Sequence, residues 1–250
     1  MKRAFLAVPV ALALTACGGS SGSDVLRDAS ESLGKIRSGV IHAKLLVQPR
    51  RGGQPYGFVI DGPFRFGDRP TANVTYVQIA NDRHTTATLV ISPNGGYVVE
   101  NGKRRGLSAR ELEGVRQNMR AFRAGGGIVD VSSWVKTTES TDCPNADAPV
   151  ACVKGELDPV EAANGLLTLA QAVGTPSGNP TIQDADPASL RMAVHEATYF
   201  VMVGKDDKLL RDLRMNLKLA ADVPEPVRAF FGRLIDADVH FRLAVDRPRR

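Results

Sequence analysis

Ile41-His42-Ala43-Lys44-Leu45-Leu46-Val47-Gln48 places Ile41, Ala43, Leu45 and Val47 at every second position, against His42, Lys44 and Gln48. A period of two is what a half-buried strand requires, because successive side chains leave a pleated backbone on opposite faces. The same period continues to about Lys103. Tyr56, Phe58, Ile60, Phe64 and Phe66 lie on one side of the next segment, with Asp61 and Arg65 opposite and Val59 breaking the polarity. Further strands are predicted over Asn73–Ala80 and Thr85–Ser92. Asn94-Gly95 and Asn101-Gly102 flank Tyr97–Glu100 as hairpin turns, since both dipeptides accept the positive φ of tight turns.

A second strand-rich region closes the chain. His195–Val203 and Leu209–Ala221 are joined by Gly204-Lys205-Asp206-Asp207. Leu209, Leu213, Met215, Leu217 and Leu219 share a face against Asp212, Arg214, Asn216 and Lys218. Val239, Phe241, Leu243 and Val245 alternate with Asp238, His240 and Arg242 in a last strand.

Between and before these regions the period changes to that of a helix. Asp24–Ser38 places Val25, Ala29, Leu33 and Ile36 on one stripe, with Gly39 beyond its end. Ser108 and Glu111 form a capping box ahead of Leu112, Val115, Met119 and Phe122, with Leu107 and Leu112 spaced as a hydrophobic staple and Gly125-Gly126-Gly127 as the stop. A third helix is expected from Asp158-Pro159 through Leu166, Leu167 and Val173, a shorter one at Asp186-Pro187, and a helical piece around Val227–Phe231. An antiparallel sheet with one apolar face must bury that face, and the amphipathic helices are the available cover. The fold class is therefore α+β.

Composition sets the outer bounds. The chain has 250 residues, 43% hydrophobic and 24% charged, an ordinary globular balance. Its formal charge is +5, two units of which belong to Lys2 and Arg3. The basic runs Arg50-Arg51, Lys103-Arg104-Arg105 and Arg247–Arg250 are interleaved with acidic residues, which argues against nucleic acid as a partner. Familiar catalytic motifs occur only out of context. Gly18-Gly19-Ser20-Ser21-Gly22 lies in a Gly/Ser linker, where a nucleophile elbow needs a strand and a helix. Ser32-x-x-Lys35 lacks its companion motifs. His195-Glu196 is followed by Tyr199 at the position a zinc peptidase would give to histidine, and His42, His84, His195 and His240 are scattered. The expectation is no catalytic residue, no metal and no cofactor.

The N-terminus points out of the cytoplasm. Met1-Lys2-Arg3 precedes an apolar run from Ala4 to Ala13, about half of the ~20 residues a spanning helix needs. Leu14-Thr15-Ala16-Cys17 then resembles a lipobox, the motif at which bacterial lipoproteins are cleaved and their new N-terminal cysteine is acylated. That resemblance implies a signal peptide over 1–16, lipidation of Cys17, and an exported protein held on the outer face of the cell membrane. The expected organisation is an acylated Cys and flexible tether over 17–23, followed by one domain over 24–250. Cys143 and Cys152, nine positions apart in a stretch rich in Asp, Asn and Pro, are expected to form a disulfide in that oxidising setting. Closing such a loop contributes about 2–3 kcal/mol on the chain-entropy model.

The order of elements, with Gly95-Gly96-Tyr97-Val98-Val99-x-Asn101-Gly102-Lys103, mid-chain helices and the Gly204–Arg211 hairpin, resembles the LolA/LolB and LppX–LprG superfamily of lipid and lipoprotein carriers. The resemblance implies a large curved antiparallel β-sheet, a half-barrel, with amphipathic helices covering its concave face. It also implies a protein that binds or carries a lipid, lipoglycan or similar amphiphile in an apolar cavity without covalent chemistry, and a monomer is expected. The residues expected to line that cavity are Phe58, Ile60, Phe64, Phe66, Tyr76, Leu89, Met119, Leu166, Leu167 and Leu217. The alternative is an envelope protein-interaction or sensor module, in which the same body is solid and its surface binds an envelope protein.

Overall fold

A computed structural model describes residues 22–50, 54–80, 83–124, 131–144, 148–162, 165, 191, 193–219 and 236–250. Its centre is one antiparallel sheet of eleven strands: β1 Ser38–Pro49, β2 Tyr56–Arg65, β3 Thr71–Ala80, β4 Arg83–Ser92, β5 Gly95–Glu100, β6 Lys103–Gly106, β7 Glu139–Thr141, β8 Val150–Glu156, β9 Val194–Gly204, β10 Leu210–Leu219 and β11 Ala237–Arg249. The spatial order is β6-β5-β4-β3-β2-β1-β11-β10-β9-β8-β7, so the edges β6 and β7 remain unpaired with each other and the curved sheet is open. The expected α+β half-barrel is the architecture observed.

Two meanders make up the sheet, and β1 joins them by pairing with both β2 and β11. The register keeps one apolar face continuous across the join: Phe58 lies opposite Leu45, Leu45 opposite Phe241, Phe241 opposite Met215, and Met215 opposite Tyr199. Asn101 and Gly102, at φ 50° and 75°, make the β5–β6 turn, the conformation that favours the Asn-Gly pair. Gly62 is required for a different reason. Its φ is 141°, and a Cβ there would stand 2.2 Å from the Asn73 carbonyl oxygen in β3.

α1 (Gly22–Lys35) lies against β8, β9 and β10. It buries Val25, Ala29 and, just past its end, Ile36. Ser32 falls on the same stripe and is fully buried. Its hydroxyl donates to the Ala29 carbonyl (2.8 Å) and accepts from the Leu210 amide (3.0 Å). The Ser32-x-x-Lys35 spacing thus has a structural use, satisfying a buried backbone donor at the start of β10. The helix stops three residues earlier than the periodicity predicts, because Ser38 and Gly39 already pair in β1. α2 (Ala109–Ala124) starts at the expected capping box, where the Ser108 amide donates to Glu111 (2.8 Å) and the Glu111 amide donates to Ser108 Oγ (3.3 Å). It contacts β5 and α1.

The region around the cysteines is more ordered than its composition suggests. Cys143 and Cys152 are joined, with Cα atoms 5.5 Å apart, and Cys152 is a buried residue of β8. β7 and β8 escape the period-two reading because β7 has three residues and β8 buries the consecutive side chains Cys152 and Val153. Trp134 belongs to a short 3-10 turn, Val131–Trp134. Asp158 caps the helical turn at 159–162 by accepting from the amides of Val160 (2.8 Å) and Glu161 (3.3 Å). The expected continuation through Leu166, Leu167 and Val173, the helix at Asp186-Pro187 and the piece at Val227–Phe231 lie outside the described residues, as do Gly125-Gly126-Gly127 and Cys17.

The outer face of β9–β11 carries several paired charges beside Phe200 and Met202. Asp212, 3% exposed, accepts from Arg214 (2.6 and 2.9 Å) and Arg242 (3.0 and 3.1 Å), which holds the Arg242 guanidinium above its usual value. Lys218 pairs with Glu196 across to β9, and Arg50 pairs with Asp238 of β11.

Candidate ligand-binding site

Phe58, Ile60 and Phe64 of β2, Tyr76 of β3 and Leu89 of β4 are brought onto the inner face of the sheet. Ile60 stands directly opposite Tyr76, and Phe58 stacks on the Tyr76 ring with centroids 6.2 Å apart. Phe66, just beyond β2, tilts against Phe64 at 4.9 Å. Met119 is half-buried on α2. Leu217 lies on the same face but in β10, where it is 3% exposed within the core. Leu166 and Leu167 lie outside the described residues.

The register divides this wall into rows running across β2 to β5. Phe64, Ala72, Ile91 and Gly96 form the upper row, closed by Ile91 and Ala72, both buried. Below it, Val74, Leu89 and Val98 are half-buried, and next come Ile60, Tyr76 and Ala87, also half-buried, with Glu100 exposed at the end of their row. The following row brings exposed Gln78 and Thr85 beside Phe58, and the last ends at Arg83. The wall therefore grades from covered and apolar beneath Leu107 and α2 to exposed and polar at the β3–β4 turn.

On the opposite meander the same face is solid. Val153, Val201, Leu213 and Met215 have no exposed surface. Its one tyrosine, Tyr199, is satisfied from within: the hydroxyl lies 2.7 Å from Thr138 Oγ1 and donates to the Thr137 carbonyl (3.1 Å). Tyr76 differs, since its hydroxyl has no hydrogen-bond partner among the described residues. Burial pushes the phenols of Tyr56, Tyr76 and Tyr199 all upward.

Sequence reasoning missed one feature, a cleft of about 240 Å³ at the start of β9. It is lined by Lys136, Glu156, Leu157, Arg191, His195 and Glu196, with Asp158 beside Arg191 (3.6 Å). Its mixed charges come from segments far apart in the chain, so no local motif announces it. Among the described residues there is no group of three or more His, Cys, Asp or Glu placed to hold a metal ion. No described helix is long and apolar enough to cross a membrane.

No protein-family model matches this sequence, and no curated protein matches it. Among solved structures the chain is similar to LprF from Mycobacterium bovis, at 12% identity and a TM-score of 0.46, over 93% of this chain and 97% of that one.

Proposed function

We propose that this chain is an exported lipoprotein, anchored to the outer face of the cell membrane through acylated Cys17, that binds or carries a lipid, lipoglycan or similar amphiphile without covalent chemistry. The observation that carries the reading is the half-covered apolar wall of β2–β5, bounded by a fully packed core on the same face. Apolar side chains left half-exposed on a concave surface are what an acyl chain would cover, at about 25 cal/mol for each Å² removed from water. The leader and Leu14-Thr15-Ala16-Cys17 support the location.

One observation favours the second reading, an envelope protein-interaction module. The outer face of β2–β5 is also partly apolar, with Val59, Val77, Val90 and Val99 half-buried there and not replaced by ion pairs as on β9–β11. Native mass spectrometry of the full chain extracted from its own membranes separates the two. The carrier reading predicts a chain beginning at Cys17 with covalent acyl mass and a further lipid that leaves on collisional activation. A chain that is recovered free of such a lipid, or bound to a protein in its place, contradicts it.

A further inference from the structure

The strand ends of β1, β2 and β11, beside the β9–β10 turn, gather arginine. Ser38 pairs with Arg65 on one side and Arg249 on the other, so those two share a face about 10 Å apart. Arg37 is held between the same strands: its amide donates to the Arg249 carbonyl (2.6 Å), and its carbonyl accepts from the Phe66 amide (2.6 Å). Arg69 stands in the β2–β3 connection, and Arg247 lies in β11 where its register against β1 shifts. All five are exposed, and none forms an ion pair with another described residue. The acids nearby do not cancel them. Asp207 is taken by Arg211, Asp246 faces His42 and Asp206 follows Lys205, which leaves Asp68. Elsewhere the sheet matches its arginines, as with Arg214 and Arg242 on Asp212 or Arg50 on Asp236 and Asp238. Unmatched cations held this close raise the local potential, and a planar guanidinium suits phosphate oxygens, which it binds through two parallel N–H donors.

We propose that this arginine end docks the body onto a bilayer rich in anionic phospholipid, with the strand ends of β1, β2 and β11 facing the headgroup phosphates. The inference goes beyond the carrier reading and rests only on its anchor at Cys17. Chain length permits the arrangement. Gly22 packs beside Thr138 and Val153, and Val153 is three residues along β8 from Val150, which pairs with Gly204 at this end. That is about 10 Å along the strand, whereas the five residues from Cys17 to Gly22 reach up to about 17 Å. The anchor and the arginines can therefore meet one membrane plane, with the Asn101-Gly102 turn directed away from it.

The test mixes the full chain, extracted from its own membranes, with vesicles of phosphatidylcholine or of phosphatidylcholine plus phosphatidylglycerol. Flotation measures attachment, and amide hydrogen exchange measures docking. Exchange in 66–70 and 247–250 is expected to slow only on the vesicles that contain phosphatidylglycerol, with Asn101-Gly102 unchanged. Salt at 1 M, where the Debye length is about 3 Å, should remove the protection. Arg65→Gln with Arg249→Gln should weaken docking about 25-fold, about five-fold for each cation. Arg65→Lys with Arg249→Lys should keep most of it, which a fold defect at these positions would not allow. Equal exchange on both vesicles, or protection that survives the paired Gln substitutions, overturns the docking surface, and flotation with both vesicles then leaves the anchor standing. Flotation with the anionic vesicles alone upholds the docking surface and overturns the anchor. Flotation with neither overturns both.

Discussion

Met215 in β10 and Leu89 in β4 lie on the same face of one continuous sheet, yet Met215 has no exposed surface and Leu89 is half-buried. The difference comes from what lies above each. α1 lies against β8, β9 and β10, and Ser32 ties it to β10, so that half of the face is core. α2 contacts β5 and shelters the upper row of the other half. The outer faces differ as well: on β9–β11 Asp212, Glu196 and Asp238 are paired with Arg214, Arg242, Lys218 and Arg50, whereas Val59, Val77, Val90 and Val99 are half-buried on β2–β5. Among the described residues, one half of this face is fully buried and the other is half-buried.

The largest expected effect separates the halves by stability. Leu213→Ala should cost about 3–4 kcal/mol, since the cavity it leaves is walled in on every side. Leu89→Ala should cost about 1 kcal/mol, because its side chain is already half in solvent. Urea unfolding of both variants measures the gap, and equal losses would mean that the two walls are equally packed. Next in size is Ser32→Ala, expected to cost about 1–3 kcal/mol by leaving the Leu210 amide buried without its acceptor. Hydrogen exchange at Leu210 should rise with it, and an unchanged rate would show that α1 is held by other contacts.

The alternation of Ile41, Ala43, Leu45 and Val47, the Asn101-Gly102 turn and the Ser108/Glu111 box made the sheet and the start of α2 legible before any coordinates. Strand period reports which side chains share a face, and it reports this equally for Leu89 and Leu213. Whether a helix then covers that face depends on docking between distant segments, so the unequal cover could not be read from the chain. β7 and β8 were hidden for a local reason, since Cys152 and Val153 are both buried and break the period. Ser32 was readable in principle as a polar residue on an apolar helical stripe, although its partner, Leu210, is 178 positions away.

The smallest effect concerns the paired outer face. Arg50 donates to Asp238 and holds that carboxyl below its ordinary value. A carboxylate lowered in the folded state contributes stability that is present above its unfolded value, about 3.9, and is lost as pH falls through the folded one. Asp238→Asn should therefore lower stability slightly above about pH 4 and flatten its fall below that pH. The pair is partly exposed, so the change is small. An acid limb identical to that of the native chain would remove Asp238 from the account.

The most direct test of the central claim is photolabelling of the full chain with a fatty acid carrying a diazirine at its chain end, followed by peptide mapping. The account predicts adducts within residues 56–99, on the half-covered wall, and none within 194–219, where the same face is already filled by Leu213, Met215 and Leu217. Adducts in 194–219, or labelling spread evenly over both meanders, would contradict it.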